Sequence, residues 1–512
     1  MSGFKANTNC GGDLFLGVDL GTSSVRAALF DRNGFQIDIE QREYTLNSPE
    51  PGYAELDPER VFQSMLDAVQ DCLKRAENLE TRLQGMSFST QMHSFIAVDH
   101  QGLPLTPVIT WADNRSLPEA ESLCRQQDVQ ELYRRTGCRV QHPMYPLSKI
   151  LWLHHHQPEL FQQTAKFLTL KSWIFHRLFG LYVVDYTDAS ASALLNIHTL
   201  TWDDLITGQI LGIGTSRLAD PVPCTQIYRN MDSRYAAYMG IRRDLPVAAG
   251  SGDGILANLG CGVLDDTAMT CTVGTSGALR ITVGEPLLDQ AQRTWCYRLS
   301  PDKCIAGGAI SNGGIILRWL RDNFRATFQA DADERDCGSL YALFDQYAAE
   351  IPAGSAGLTF LPLLAGERSP NWNARARGVI SGLDLTHTPR HLVKAAMEGV
   401  VYRLFSVYET LTVINHNVRQ IRANGGYARS EVWLQIQADV FGKEIAVNGV
   451  GEAAALGAAY LSMASVGAIG GLDQPLPAMQ VSRVLQPNPE NTAVYQEGYR
   501  TFVNLYHDLY QK

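Results

Sequence analysis

One stretch near the start, residues 14–31 (LFLGVDLGTSSVRAALFD), constrains the fold more than any other. It reads as an apolar strand, a tight polar turn and a second apolar strand. Gly21 carries no Cβ, so the backbone there can come close to a ligand. Successive turn amides can form an anion-binding nest. Thr22, Ser23 and Ser24 add hydroxyl donors, and Asp19 sets a carboxylate at the mouth. These groups suit a phosphate held together with a divalent cation. They equally make an ordinary hairpin turn, so the stretch alone leaves both readings open.

Residues 268–283 (AMTCTVGTSGALRITV) repeat the same order of apolar strand, Gly-Thr-Ser and apolar strand. With Gly21 and Gly274 as counterparts, the pair points to a duplicated fold of two similar domains, against chance agreement of two short hairpins. Further glycine-rich turns are expected at Gly250, Gly307 and Gly425. Each follows an apolar run and can turn amides or a helix N-terminus toward a phosphate. Strands alternating with helices through such turns indicate α/β layers. Two familiar nucleotide motifs are missing: Gly442-Lys443 is followed by Glu444, which breaks a P-loop, and no G-x-G-x-x-G follows a strand.

The helical segments are read from caps and periodicity. Asp57 and Pro58 open a helix as N-cap and first helical residue. Residues 389–410 form a long amphipathic helix. Residues 453–469 are uncharged but rich in Ala, Gly and Ser, which favours a buried helix over a membrane span. Residues 470–485 read as a Pro-rich connector and residues 495–509 as a closing helix.

At 512 residues, 45% hydrophobic and 19% charged, the chain has the makeup of a multidomain globular protein. A net charge of -10 argues against a nucleic-acid surface. Ten cysteines without a C-x-x-C pair point to a reduced, cytoplasmic setting. The opening MSGFKANTNCGGD has no apolar core of a signal peptide and reads as a short tail.

Asp253, in GSGDG, is flanked by residues too small to bury it. As a general base it would take the proton from a hydroxyl attacking a γ-phosphoryl group; capping the following helix is the alternative. Gln91, Met92 and His93 form a polar loop suited to sugar hydroxyls, although a lone His there can also be bonded to backbone. The run His154, His155 and His156 points in different directions on a helix and reads as a solvated segment.

In order, DLGTSSVRAALFD, QMHSFIAVD, WADNRS, MYPLSKILWL, GSGDG, VGTSG, SNGGIILRWLRD and GGYARSEVWLQIQADVFG resemble the FGGY family of carbohydrate kinases, from about residue 14 to about 467. His154 departs from the family pattern, which usually carries Asp, Glu, Asn, Gln or Lys there. The resemblance implies two actin-like (ribonuclease-H-like) ATPase domains with a catalytic cleft between them. It divides the chain into a tail (1–12), a sugar-binding domain (13–262), an ATP-binding domain (263–470) and a connector with a helix (471–512). It also implies ATP and Mg²⁺ as cofactors. By the same resemblance Asp19 helps hold the metal, Thr22, Ser23 and Ser24 face the phosphates, and Arg26 lies near the transferring group. Asp253 becomes the catalytic base, in contact with substrate. Gly274 and Thr275 form the second phosphate loop; Gly314, Arg318, Gly426 and Ser430 hold the nucleotide; Gln91, Met92, His93 and Tyr145 hold the sugar.

Within the family, MHSFIAVDHQGLPLTPVITWADNRS, VVDYTDASASALLN and FLPLLAGERSPNWNARARGVISGL most resemble members that phosphorylate gluconate. The expected reaction is transfer of the ATP γ-phosphoryl group to the terminal hydroxyl of a sugar acid, D-gluconate giving 6-phosphogluconate. Xylulose or another sugar or polyol is the alternative acceptor, and a non-catalytic nucleotide-dependent sensor ranks below. Arg115, Lys149 and His93 are the candidate cations for an acid's carboxylate. The expected partners are small molecules only, without nucleic acid or membrane; a homodimer is left open.

Overall fold

The computed structural model describes residues 12–511; residues 1–11, nearly all of the expected tail, and residue 512 lie outside it. Two sheets of one design organise these residues. The first contains β1 (Leu14–Leu20), β2 (Ser24–Asp31), β3 (Gln36–Glu43), β4 (Leu83–Thr90), β5 (Ile227–Tyr228) and β6 (Val247–Gly252), in the order β5-β6-β4-β1-β2-β3. The second contains β7 (Ala268–Val273), β8 (Gly277–Val283), β9 (Trp295–Ser300), β10 (Lys303–Ile310), β11 (Gln420–Asn424), β12 (Ile445–Asn448) and β13 (Val481–Leu485), in the order β9-β10-β8-β7-β11-β12-β13.

The pairings correspond strand by strand. β1-β2-β3 and β7-β8-β10 are both antiparallel sets of three neighbouring strands. Each is continued by two parallel strands, β4 and β6 or β11 and β12, and by an antiparallel edge strand, β5 or β13. β9 is an addition on the far side of β10. The repeat seen in two turns therefore extends over whole sheets.

Local sequence explains the elements that frame the cleft. α1 (Pro58–Leu73) starts where the Asp57 side chain accepts from the amides of Glu59 and Arg60, and it buries Val61, Met65, Ala68, Val69 and Cys72. α2 (Asp253–Gly260) follows β6 without an intervening loop. α3 (Ile315–Asn323), α4 (Pro389–Ile414) and α5 (Glu431–Phe441) belong to the second half. α6 (Ala453–Ser465) comes late in the chain yet packs on β1 and β4 of the first sheet and on α2. Small residues permit this: a Cβ on Gly17 would lie 1.9 Å from the Ala455 carbonyl oxygen, and one on Gly457 would lie 2.0 Å from that of Leu256. α7 (Pro489–Tyr510) closes the second domain by burying Tyr495, Phe502 and Tyr506.

Four expectations change. Gly250 and Gly252 lie inside β6, so the glycine-rich loop before Asp253 is strand. Gly307 sits in the middle of β10, because adjacent strands leave no room there for a side chain; the loop is residues 311–314. α4 is buried on nearly every side from Val393 to Leu411 rather than amphipathic, being covered by neighbouring helices and strands. The connector contributes β13 to the second sheet. The three consecutive histidines are exposed, as read, with His156 stacked on Trp152. Among the described residues no helix is long and apolar enough to cross a membrane.

Candidate active site

The first turn is braced from several sides. Asp19 on β1 faces Arg26 on β2 in the hairpin register, with carboxylate and guanidinium 3.6 Å apart; Arg26 also lies 3.6 Å from Glu452. Ser89 Oγ donates to Asp19 Oδ1 at 2.6 Å. Burial pushes the Asp19 carboxyl up, while the Ser89 hydrogen bond and Arg26 oppose the shift. Thr22 Oγ1 accepts from Trp111 Nε1 at 2.9 Å and donates to Gln91 Oε1 at 3.2 Å. Tyr44 donates its hydroxyl to the Gly21 carbonyl at 2.6 Å. Ser23 is exposed at the tip, and Ser24 is buried at the start of β2.

Asp253 is the first residue of α2, and its Oδ1 accepts from the Gly254 amide at 2.6 Å. Burial, and after it the nearby Asp19, raise its carboxyl to about 6 against the opposing charge of Arg280. The side chain opens into a cavity of about 190 Å³ between the domains. Thr22, Met92, His93, Trp111, Met144 and Asp253 form one wall, and Ser276, Arg280, Trp295, Tyr297, Arg368 and Trp372 the other.

The sheet register builds that second wall. Arg280, Gly307 and Trp295 lie side by side across β8, β10 and β9. A Cβ on Gly307 would stand 2.8 Å from the Trp295 ring, so the bare glycine lets the indole lie over the sheet. Trp295 stacks on Tyr297 at 4.5 Å between ring centroids, and the Tyr297 hydroxyl is 3.0 Å from His93 Nε2. Burial, then the nearby cations Lys149 and Arg368, hold His93 well below the usual imidazole range, so it is neutral at pH 7.

Two residues expected at the sugar stand behind the cavity wall. Gln91 is buried against Thr22 and Gly21. Tyr145 is buried edge-on to His93, with its hydroxyl 3.5 Å from that of Tyr297. Of the candidate cations, Arg115 is engaged by Glu55 and Asp113 and lies over the Tyr53 ring at 3.7 Å. Lys149 Nζ donates to the carbonyls of His93, Thr110 and Met144 at 2.7–2.8 Å and is lowered to about 7 by burial. Neither lines the cavity. The cations that do, Arg280 and Arg368, escaped the sequence reading. The available signals were an Arg amid the apolar alternation of β8 and the polar GERSP run after an apolar strand.

A larger cavity of about 530 Å³ lies on the other side of the second turn. Gly274, Thr275, Gly314, Arg318, Gly426 and Ser430 all line it, together with Tyr341, Asp345, Arg429 and Trp433. The Gly314 amide donates to the Gly274 carbonyl at 2.7 Å, which ties the start of α3 to the turn. Ser430 caps α5 and donates to Asp345 at 2.6 Å. Gly274 and Thr275 face this cavity and Ser276 the smaller one, so a single turn separates them.

Residues 14–260 match the N-terminal domain model of the FGGY family of carbohydrate kinases, and residues 269–466 match the C-terminal domain model. The chain belongs to the FGGY family of carbohydrate kinases. This FGGY member is 38% identical to the gluconokinase of Bacillus subtilis (strain 168) over 491 residues, 96% of this chain and 95% of the relative. It is 30% identical to the xylulose kinase of Staphylococcus epidermidis (strain ATCC 12228 / FDA PCI 1200) over 501 residues, 96% of each. The crystal structure of gluconate kinase from Lactobacillus acidophilus matches with a TM-score of 0.91 at 31% identity, covering 97% of this chain and 98% of that one. Ligand-bound xylulose kinase from the same organism matches equally, at 0.91, 30% identity, 97% and 98%. Both domains of this FGGY kinase thus have the actin-like fold, and the protein is an ATP-dependent sugar kinase.

Proposed function

We propose that this FGGY kinase transfers the γ-phosphoryl group of ATP to the terminal hydroxyl of a sugar acid, and that the acceptor is D-gluconate, giving 6-phosphogluconate. One observation carries the choice of acid: the smaller cavity is lined by a single carboxylate, Asp253, and by two arginines, Arg280 and Arg368. Such a lining favours an anionic acceptor. The similarity to gluconokinases supports the same acceptor.

Asp253 is the general base in this reading. A carboxyl near 6 is ionised at pH 7 and is more basic than an exposed aspartate, so it can take the hydroxyl proton as the oxygen attacks phosphorus. Asp19 and Asp253 both stand on the first-domain side of the cleft and repel each other, and such a donor set fits Mg²⁺ completed by phosphate and water oxygens. When bound, Mg²⁺ neutralises charge on the β- and γ-phosphates. Thr22, Ser23, Ser24 and Arg26 would hold the phosphates from one side, and Gly274 and Thr275 from the other. Gly314, Arg318, Gly426 and Ser430 line the cavity that would take the rest of the nucleotide. Met92 and His93 would touch the sugar, while Gln91 and Tyr145 brace Thr22 and Tyr297 from behind. Closure of the domains would keep water from the γ-phosphate. The setting proposed for this chemistry is cytoplasmic.

A coupled ADP-release assay over D-gluconate, D-xylulose, glycerol and other sugars and sugar acids tests the acceptor; gluconate should give the highest kcat/KM, and a clear preference for xylulose would overturn the choice. Asp253→Asn should lower kcat by about 10²–10⁴-fold with ATP binding retained. Near-normal turnover would remove Asp253 from the base role.

A further inference from the structure

We propose that Arg368 receives the acceptor's carboxylate and thereby sets its direction in the cavity, with the acid group at Arg368 and the terminal hydroxyl at Asp253. This inference rests on the sugar-acid reading above.

The environment of Arg368 is that of a cation awaiting a counter-ion. Its side chain keeps part of its surface open to the cavity, although the site lies deep between the domains. One guanidinium nitrogen, Nη2, donates to the Ile310 carbonyl at 3.0 Å. Among the described residues the other two nitrogens have no hydrogen-bond partner, and no carboxylate comes within ion-pair distance. The adjacent acid in sequence, Glu367, is turned away: its Oε1 lies 2.8 Å from Arg403 inside the second domain. What surrounds Arg368 is neutral or cationic. Its guanidinium carbon is 5.7 Å from the centre of the Trp111 ring. His93 and His142 are both held neutral by burial and by Arg368 itself, His142 falling to about 3. A charge in an enclosed space without a partner is costly, and a planar carboxylate offers two oxygens to the guanidinium fork.

The two cavity arginines differ in their company. Arg280 sits over the start of α2: a Cβ on Gly254 would lie 2.5 Å from its Nη2, and its charge acts directly on Asp253. It belongs to the end where the phosphoryl group arrives. Arg368 lines the same cavity beside the Trp111 ring, its guanidinium tied to the Ile310 carbonyl rather than to the start of α2. A polyhydroxy acid held in this cavity can reach from Arg368 to Asp253, with His93 and Tyr297 also on its walls.

The experiment compares D-gluconate with D-gluconamide, its neutral isostere, on wild type, Arg368→Gln and Arg368→Lys, with ATP binding measured on each as the check of folding. Wild type should favour gluconate. Arg368→Gln should raise KM for gluconate by about 100-fold, change kcat by no more than about threefold, and leave KM for gluconamide where it was. Arg368→Lys keeps the charge without the fork and should retain part of the preference, so it carries the test if the Gln variant fails to bind ATP. An equal fall in kcat with both acceptors would place Arg368 on the phosphoryl group and overturn the proposal. An unchanged ratio between the two acceptors would also overturn it. Failure of the sugar-acid reading is distinct and shows in the wild type alone, as transfer to xylulose with none to gluconate.

Discussion

In the first hairpin Gly17 on β1 pairs with Ala28 on β2, whereas in the second, at the same distance before the tip glycine, Thr270 on β7 pairs with Arg280 on β8. Two residues nearer each tip, Asp19 in the first hairpin is replaced by Thr272 in the second. The backbones are alike and the contents are not. The small pair admits α6 to backbone contact with β1. The large pair meets α2 through polar groups: Thr270 donates to Asn258 Oδ1 at 2.7 Å, and Arg280 reaches over Gly254. Duplication thus supplied two copies of one turn. One became a closed seam with an acid at its tip, and the other became the cationic side of the cleft.

The largest effect should come from erasing the acid. Asp19→Thr gives the first hairpin the side chain that the second has at that position. Turnover at fixed Mg²⁺ should fall by about 10²–10³-fold, the scale for removing one preorganised charge-stabilising group. A variant within tenfold of wild type at saturating Mg²⁺ would show that the acid is not what separates the two tips functionally.

A smaller effect should follow from Arg280→Ala, which gives the second hairpin the residue that the first has at Ala28. Asp253 must be ionised to act as base, and its carboxyl stands at about 6. Wild-type kcat/KM should therefore fall about tenfold for each pH unit below that point. Arg280 favours the ionised form, so its loss makes the carboxylate harder to form, and the acid limb should move to higher pH. A limb that stays in place, or moves to lower pH, would detach Arg280 from the base.

Much of this architecture was legible in the chain, and the reasons are local. Gly-Thr-Ser between apolar strands announced both turns, because backbone turns carry their own signature in glycine and hydroxyl residues; the six residues that the family resemblance set around the nucleotide line one cavity. Arg280 and Arg368 were not legible. Their role depends on which face of β8 looks into the cleft and on Glu367 being taken by Arg403, and both facts arise only once the sheet is assembled. Lys149 and Arg115 misled for the same reason. Each looked like a free cation, and each is satisfied by groups far away in sequence. The glycines at 250 and 307 suggested loops, but they mark places where strands leave no space for a side chain.

The smallest effect bears on stability rather than turnover, and it compares the seams themselves. A methyl group on Gly17 would meet the Ala455 carbonyl oxygen at 1.9 Å, a backbone atom held within α6, so strand and helix must move apart. Gly17→Ala should cost about 3 kcal/mol, the upper part of the range for overpacking a tight interior. Thr270→Val keeps the shape at the equivalent position and removes only the hydroxyl. Asn258 loses a donor to its Oδ1 but keeps its own bonds to Thr282 Oγ1 at 2.9 Å and to the Val263 carbonyl at 3.1 Å. That change should cost about 1 kcal/mol. Denaturant unfolding followed by tryptophan fluorescence, with kcat of the folded fraction as control, would rank the two. A costlier Thr270→Val would mean that the polar contact of α2 with the second sheet, and not the glycine contact of α6 with the first, is the less forgiving seam between the domains.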